Sequence, residues 1–451
     1  MILIVYDAAI RRDLAHELAS AFLIGPWDAA ELAERGAGCL DRWPSWMSVL
    51  TLHVMAADRS PPTDRPGELV GVIESFLAHR SAPASEAEPP GIIRLLNHER
   101  PQRNHDWSVA EIDSVAGLAE QLELSDGQLA WLADVRGLER TVTEAKLRNY
   151  RYQPLARRGG LPRVIEAPKA RLKEIQRRLL HEILDRVPAH DAAHGFIRSR
   201  SVVTHARLHA GQDAVLHLDL KDFFASIAAA RVYGIFRTLG YAPAVAHVLT
   251  GLCTNTVPLA VWQQIPPAAS PALIGGRFWL GRQLATPHLP QGAPSSPALG
   301  NLAAFRLDRR LAGLAASLDL HYSRYADDLT FSGPNRLRRQ SSQLQPLVAK
   351  IARQEGFAIN RGKSSLRTAG GRQSVCGVVV NVHPNVTRAE YDRLKAILHN
   401  AARRGPDSQN RAGLDDLQAH LRGRIAWVAS LNPDRGEKLR QRFAEVDWGM
   451  A

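Results

Sequence analysis

Two adjacent carboxylates, Asp327 and Asp328, stand inside Tyr322-Ser323-Arg324-Tyr325-Ala326-Asp327-Asp328-Leu329-Thr330-Phe331-Ser332, where apolar and polar residues alternate on both sides. That pattern predicts a hairpin with the acids at its tip. Side by side, like charges repel, so a chain that keeps both exposed is equipped to hold a divalent cation there. A second acid ends another strand-like run about a hundred residues earlier, Leu216-His217-Leu218-Asp219, which continues as Leu220-Lys221-Asp222-Phe223-Phe224. Between the two acidic sites lies the Gly/Pro-rich run Leu289-Pro290-Gln291-Gly292-Ala293-Pro294-Ser295-Ser296-Pro297. Asp222 falls three residues beyond Asp219, so strand alternation turns it to the opposite face and it receives no metal role.

One acid, a nucleotide-facing loop and an acid pair, in that order, suit a polymerase palm. Tyr-Ala-Asp-Asp at 325–328, Leu-Pro-Gln-Gly-Ala-Pro at 289–294 and Asp-Leu-Lys-Asp-Phe-Phe at 219–224 together resemble the motifs of a reverse transcriptase, most closely one of the bacterial retron type. The resemblance covers residues 108–451 and implies an α+β right-hand polymerase with fingers, a palm built on an antiparallel sheet, and a helical thumb. It implies RNA-directed DNA synthesis with two Mg²⁺ ions, hard cations that favour carboxylate oxygen; Asp219 and Asp327 would bridge both ions and Asp328 would complete the site.

Further roles follow from the same resemblance. Phe224 stands where the family places the aromatic that excludes a ribose 2′ hydroxyl, core packing being the alternative; Gln291 and Gly292 stand where it shapes the base and sugar pocket, an ordinary Pro/Gly turn being the alternative. Arg163 and Lys169 fall in the segment that contacts the triphosphate, or are surface charge; Lys363 matches the lysine near the leaving pyrophosphate. His194-Gly195-Phe196-Ile197 resembles a template-side segment, in which His194 by itself reads as a hydrogen-bonded structural residue. Residues 421–439 resemble a thumb helix shared with group II intron enzymes. Two departures bear on the retron label more than on the polymerase label. Cys376 stands where retron enzymes carry Thr in Val-Thr-Gly, and 253–259 matches only part of the asparagine-containing retron element.

The partners implied are dNTPs and a structured non-coding RNA that serves as template and primer. A guanosine 2′ hydroxyl of that RNA would prime a branched RNA–DNA hybrid (msDNA), in an antiphage system with a separate effector protein. Two rivals stay open: a group II intron-like or other stand-alone bacterial reverse transcriptase, and an RNA-binding scaffold with an inactive polymerase site.

Charge agrees with a polyanionic partner. The chain of 451 residues carries a formal +12, yet residues 1–100 hold 9 Lys+Arg against 14 Asp+Glu, leaving 48 against 31 for the remainder. Basic charge therefore belongs to the polymerase-like part, where phosphate neutralisation gives sequence-independent affinity. Cys39, Cys253 and Cys376 are far apart with no Cys-x-x-Cys spacing, which fits a reducing cytoplasm and neither a disulfide framework nor a zinc site. The apolar start is interrupted by Asp7, Arg11, Arg12 and Asp13, so no signal or membrane span is expected.

These motifs need elements to hold them. The expected organisation is a mostly helical appendage over 1–100, N-terminal helices and fingers over 101–213, a palm with inserted fingers elements over 214–384, and a thumb over 385–451. In the appendage, Leu14, Leu18 and Phe22 have helical spacing, Trp43 and Trp46 read as core, and breaker-rich runs at 59–67 and 81–91 bracket a helix over 69–79. Ser108-Val109-Ala110-Glu111 predicts a capping box, with a second helix from Ser125. A fingers hairpin over 159–169, a basic helix over 172–184, a β-branched strand over 375–380, and helices over 344–354, 387–403 and 415–443, the last broken at Asn432-Pro433, complete the reading.

Overall fold

The computed structural model describes residues 2–3, 6–23, 27–62, 66–79, 81–82, 88–92, 107–155, 160–265 and 270–449. The expected boundary at 100/101 and parts of both breaker-rich runs lie outside them. The chain divides into two compact units, Met1–Pro188 with Asp222–Ala303, and Ala189–Lys221 with Ala304–Ala451.

In the first unit, helices Ala8–Phe22, Ala29–Gly38, Met47–Ala57 and Pro66–His79 bury Leu14, Leu18, Phe22, Leu32, Leu50 and Ile73 in one core. Gly36 is required for that packing, because a Cβ there would meet Phe22 at 2.7 Å and Met47 Sδ at 2.8 Å. Trp46 joins the core as expected, but Trp43 is 56% exposed. The helix expected from Ser108 begins instead at Val115: Ser114 caps it by accepting from the Gly117 amide at 3.0 Å, while the Val109 amide turns to the Trp107 carbonyl. At Ser125 the predicted start holds, with a full capping box to Gln128.

The run over 159–169 does not form a hairpin by itself: it supplies one strand, β2 (Arg163–Pro168), whose antiparallel partner β1 (Tyr150–Leu155) comes from the basic-aromatic stretch before it, and residues 156–159 lie outside the described residues. Helix Ala170–Glu182 follows, with Leu172, Ile175 and Leu179 buried and Arg171, Lys173 and Arg177 exposed, as the basic pattern predicts.

The second unit is built on a four-stranded antiparallel sheet. Its strands are β3 (Ala214–Asp219), β4 (His321–Tyr325), β5 (Asp328–Gly333) and β6 (Ser365–Thr368), in spatial order β4-β5-β3-β6. Residues 375–380 do not form one strand. They split into a two-residue hairpin, β7 (Ser374–Val375) and β8 (Val378–Val379), because Cys376 (φ 46°) and Gly377 (φ 84°) both adopt the left-handed conformation of a tight hairpin turn. Helix Arg336–Gln354 starts earlier than expected. Helix Arg388–Arg404 is capped by Thr387, and Leu417–Leu431 and Pro433–Ala444 are separated by Asn432. The last two pack closely enough that a Cβ on Gly436 would lie 2.3 Å from that of Ala429. No helix among the described residues is long and apolar enough to cross a membrane.

Candidate active site

Strand register brings the acids together. Asp219 ends β3 directly opposite Asp328, the first residue of β5, and the Leu220 amide donates to the Asp327 carbonyl at 2.8 Å, carrying the pairing one step into the turn. Ala326 takes φ 55° between β4 and β5, so the acid pair sits at a tight hairpin tip as its spacing predicts. Lys363 also reaches this site: its Nζ lies 2.7 Å from Asp219 Oδ1, while Asn360 Nδ2 donates to Oδ2 at 3.1 Å and the Asn360 amide to the Asp219 carbonyl at 2.7 Å.

Burial first, and then the charges of Asp327 and Asp219, push the Asp328 carboxyl up to about 6, with Lys363 pulling the other way. Cys376 Sγ stands 3.8 Å from Asp328 Oδ2, and burial and that carboxylate push its thiol up to about 12, so it stays protonated. Among the described residues no three His, Cys, Asp or Glu side chains form a ready metal-binding group. The donors nonetheless suit a hard divalent cation: they are carboxylate oxygens, and the charges of Asp327 and Asp219 add to burial in raising Asp328.

The turn carrying the acids is held from beneath by residues that sequence reasoning missed. Arg324, fully buried, pairs with fully buried Asp308 through Nε (2.9 Å to Oδ1) and Nη2 (2.7 Å to Oδ2), and its Nη1 donates to the Ala326 carbonyl at 2.9 Å. Tyr322 OH donates to the same carboxylate at 2.9 Å. An arginine within an otherwise half-apolar strand run was the available signal. The predicted template-side segment runs along β4, with the His194 amide donating to the Arg324 carbonyl and the Arg324 amide to that of Ala192, both at 2.7 Å. Gly195 allows this approach, since a Cβ there would lie 2.7 Å from the Ala326 nitrogen. His194 is structural in its contacts, its Nδ1 3.0 Å from Thr204 Oγ1, and burial lowers it to about 4.

The other predicted residues belong to the first unit. The Gln291 carbonyl accepts from the Glu166 amide at 2.9 Å, and Gly292 adopts φ 135° where a Cβ would lie 2.9 Å from the Glu166 carbonyl oxygen. Glycine is therefore needed by both backbone conformation and space. Beneath this loop is a second unforeseen network. The buried Glu166 carboxylate meets His288 Nε2 at 3.0 Å and accepts from Asn255 Nδ2 at 2.7 Å; Asn255 also donates to Tyr152 OH, which donates to Glu139 at 2.7 Å. Burial lowers the His288 pKa, but the Glu166 charge and hydrogen bond outweigh it and the net shift is upward. Phe223 is buried and Phe224 half-buried, their rings edge-to-face at 5.3 Å. Arg163 is partly exposed at the start of β2, whereas Lys169 Nζ donates to the carbonyls of Ala145 and Lys146, each at 2.9 Å.

Comparison with known proteins places this geometry. Residues 156–391, more than half the chain, match the family model described as reverse transcriptase (RNA-dependent DNA polymerase). The chain is 40% identical over 297 residues to the retron Mx65 reverse transcriptase of Myxococcus xanthus, a match covering 66% of this chain and 65%, just under two thirds, of that relative. It is 33% identical over 362 residues to the retron Mx162 reverse transcriptase of the same organism (77% of this chain, 70% of the relative). With the retron Ec86 reverse transcriptase of Escherichia coli the identity is 28% over 334 residues (73% and 91%). A strand-paired Asp219 and Asp328 on a four-stranded sheet, within a chain of this ancestry, make the conclusion plain: the protein belongs to the reverse transcriptase family and is of the bacterial retron type.

Proposed function

We propose that this chain copies a structured non-coding RNA into DNA in the cytoplasm, using Mg²⁺ held by Asp219, Asp327 and Asp328. The observation that carries the reading is the register of Asp219 with Asp328, which sets the two carboxylates side by side next to Asp327; the Asp328 carboxyl is raised by burial first and then by the charges of Asp327 and Asp219. Two Mg²⁺ ions bound there would stabilise the attacking and leaving oxygens of an in-line displacement on phosphorus. The protein's own groups do the rest. Arg324 holds the turn in place through the Ala326 carbonyl, and Lys363, presented by the short helical turn Arg361–Lys363, supplies a proton or counter-charge to the leaving pyrophosphate.

In the same reading Phe224 selects deoxynucleotides, Gln291 and Gly292 shape the base and sugar pocket, and Arg163 contacts the triphosphate. Lys169, engaged with two backbone carbonyls, would have to release them to join it. Priming from a 2′ hydroxyl to give a branched RNA–DNA hybrid, and antiphage action with a separate effector, complete the proposal. Its support is the kinship to the retron enzymes.

Primer extension on an RNA template with Mg²⁺, comparing wild type with Asp327→Ala and Asp219→Asn, tests the chemistry. Equal incorporation by all three would end this site assignment, and no incorporation by wild type would favour an RNA-binding scaffold. Sequencing the nucleic acid that copurifies with the protein tests the retron product, a branched junction being the expected result and a linear cDNA alone the contrary one.

A further inference from the structure

Not one Asp or Glu occurs from Phe223 to Leu307, while Arg231, Arg237, Arg277, Arg282 and Arg306 fall inside that span. Helix Ile274–Leu284 lies within it. One side of this helix is committed to packing: Leu280 and Leu284 join Val164, Val257, Val261 and Ile265 in a small core. Arg277 fastens the same side, its guanidinium 4.6 Å from the Trp262 ring centroid and its Nη2 donating to the Ile265 carbonyl at 2.8 Å.

The outward side breaks the usual pattern. Ile274, Phe278 and Trp279 are 61%, 59% and 59% exposed, on a helix whose interior partners are already in place. Phe278 and Trp279 stand edge-to-face with centroids 5.5 Å apart, and the exposed Arg282 places its guanidinium 5.8 Å from the Trp279 ring. Exposed rings beside an arginine, with no acid in the surrounding sequence to repel phosphate, form the combination that binds single-stranded nucleic acid without base preference. A protein partner would be served equally by the apolar area but gains nothing from a stretch of chain without acids.

The geometry points to the Phe278–Trp279–Arg282 face as a stacking platform for a single-stranded stretch of RNA, built from residues other than the acids assigned to the chemistry. Bases stack on Phe278 and Trp279, and Arg282 pairs with phosphate. The inference rests on the reading above that this protein handles RNA, and it adds a surface and a binding mode.

The test uses the full chain and fluorescently labelled single-stranded oligoadenylate and oligouridylate, with anisotropy measured across a salt series. Loss of one stacked base weakens binding roughly 5- to 150-fold, so Trp279→Ala should fall in that range for both oligonucleotides, and Trp279→Phe should largely restore affinity. Arg282→Gln should reduce the salt dependence by about one phosphate contact. Asp327→Ala serves as the control: it should bind like wild type while failing to extend a primer. If Trp279→Ala binds both oligonucleotides as tightly as wild type, the platform is overturned, whatever the polymerase assay shows. If Trp279→Ala loses RNA affinity and wild type extends no primer, the platform stands and the polymerase reading fails. A variant that keeps RNA affinity but loses self-association or a copurifying protein would assign the face to protein docking and overturn the proposal.

Discussion

The Arg324 guanidinium and the Asp308 carboxylate are both fully buried and lie 2.7 Å apart, and the same guanidinium holds the Ala326 carbonyl just before the acid pair. Removing one partner of a buried pair strands the other charge, so Asp308→Ala should destabilise by about 3 to 5 kcal/mol in denaturant melts. Replacing both with apolar residues (Asp308→Leu with Arg324→Met) should recover most of that stability. Activity should not recover with it, because the Ala326 carbonyl has lost its donor; a single-turnover extension rate lower by roughly 10²-fold is expected. A stable and fully active double variant would show that the turn needs no such support.

A cation held by Asp219 would compete with Lys363. With the ammonium 2.7 Å from Oδ1, Lys363→Met should lower the Mg²⁺ concentration needed for half-maximal extension. The maximal rate should nevertheless fall by roughly 10²-fold or more if the amine serves the leaving group. A Mg²⁺ titration of the extension rate separates these effects, and an unchanged maximal rate would remove Lys363 from the chemistry.

Gly292→Ala would meet both a backbone angle of φ 135° and the Glu166 carbonyl oxygen at 2.9 Å. Strain of about 1 to 3 kcal/mol is expected. Because the Gln291 carbonyl is tied to the Glu166 amide, displacement of this loop should raise the KM for dNTP more than it lowers thermal stability. Steady-state kinetics with a melting curve would reveal the reverse if the loop were only a turn.

Acid should loosen the unit that carries the aspartates. His205 is buried between Ser323 (Nδ1 to Oγ 2.8 Å) and Thr330 (Nε2 to Oγ1 3.5 Å), and burial first, then neighbouring histidines, holds it down to about 3. Above its ordinary value near 6.5 the imidazole is neutral in both folded and unfolded chains and contributes nothing to pH dependence. Below that value the unfolded chain binds a proton that the folded one refuses, so stability falls as pH drops from about 6.5 towards about 3. His205 alone should contribute roughly 1 to 2 kcal/mol of loss between pH 7 and 5, and His205→Asn should flatten the profile of urea midpoints. Superimposable profiles for the two proteins would refute this.

The elements that carry the acids were legible in the sequence because they are written in local signals. Alternation around Asp327 and Asp328 gave the hairpin, a strand-like run ended at Asp219, and Ser125, Thr387 and Asn432 marked helix starts where side-chain caps are found. Cap selection between nearby serines was less so. Ser108 carried the capping-box pattern, yet Ser114 starts the helix, since Val109 and Ile112 are buried by non-local packing that a local motif does not encode.

Position along the chain determined which residues could carry a metal and a nucleotide; only the tertiary structure decided what supports them. Arg324 with Asp308, and Glu166 with His288 and Asn255, are pairs of charges and amides that burial forces to find one another across long stretches of chain. A hydrogen-bond partner is chosen by proximity in space, and no periodicity in a single sequence records that choice. The exposed face of Phe278 and Trp279 has the same origin, for helical spacing by itself does not say which side of a helix the core has already claimed.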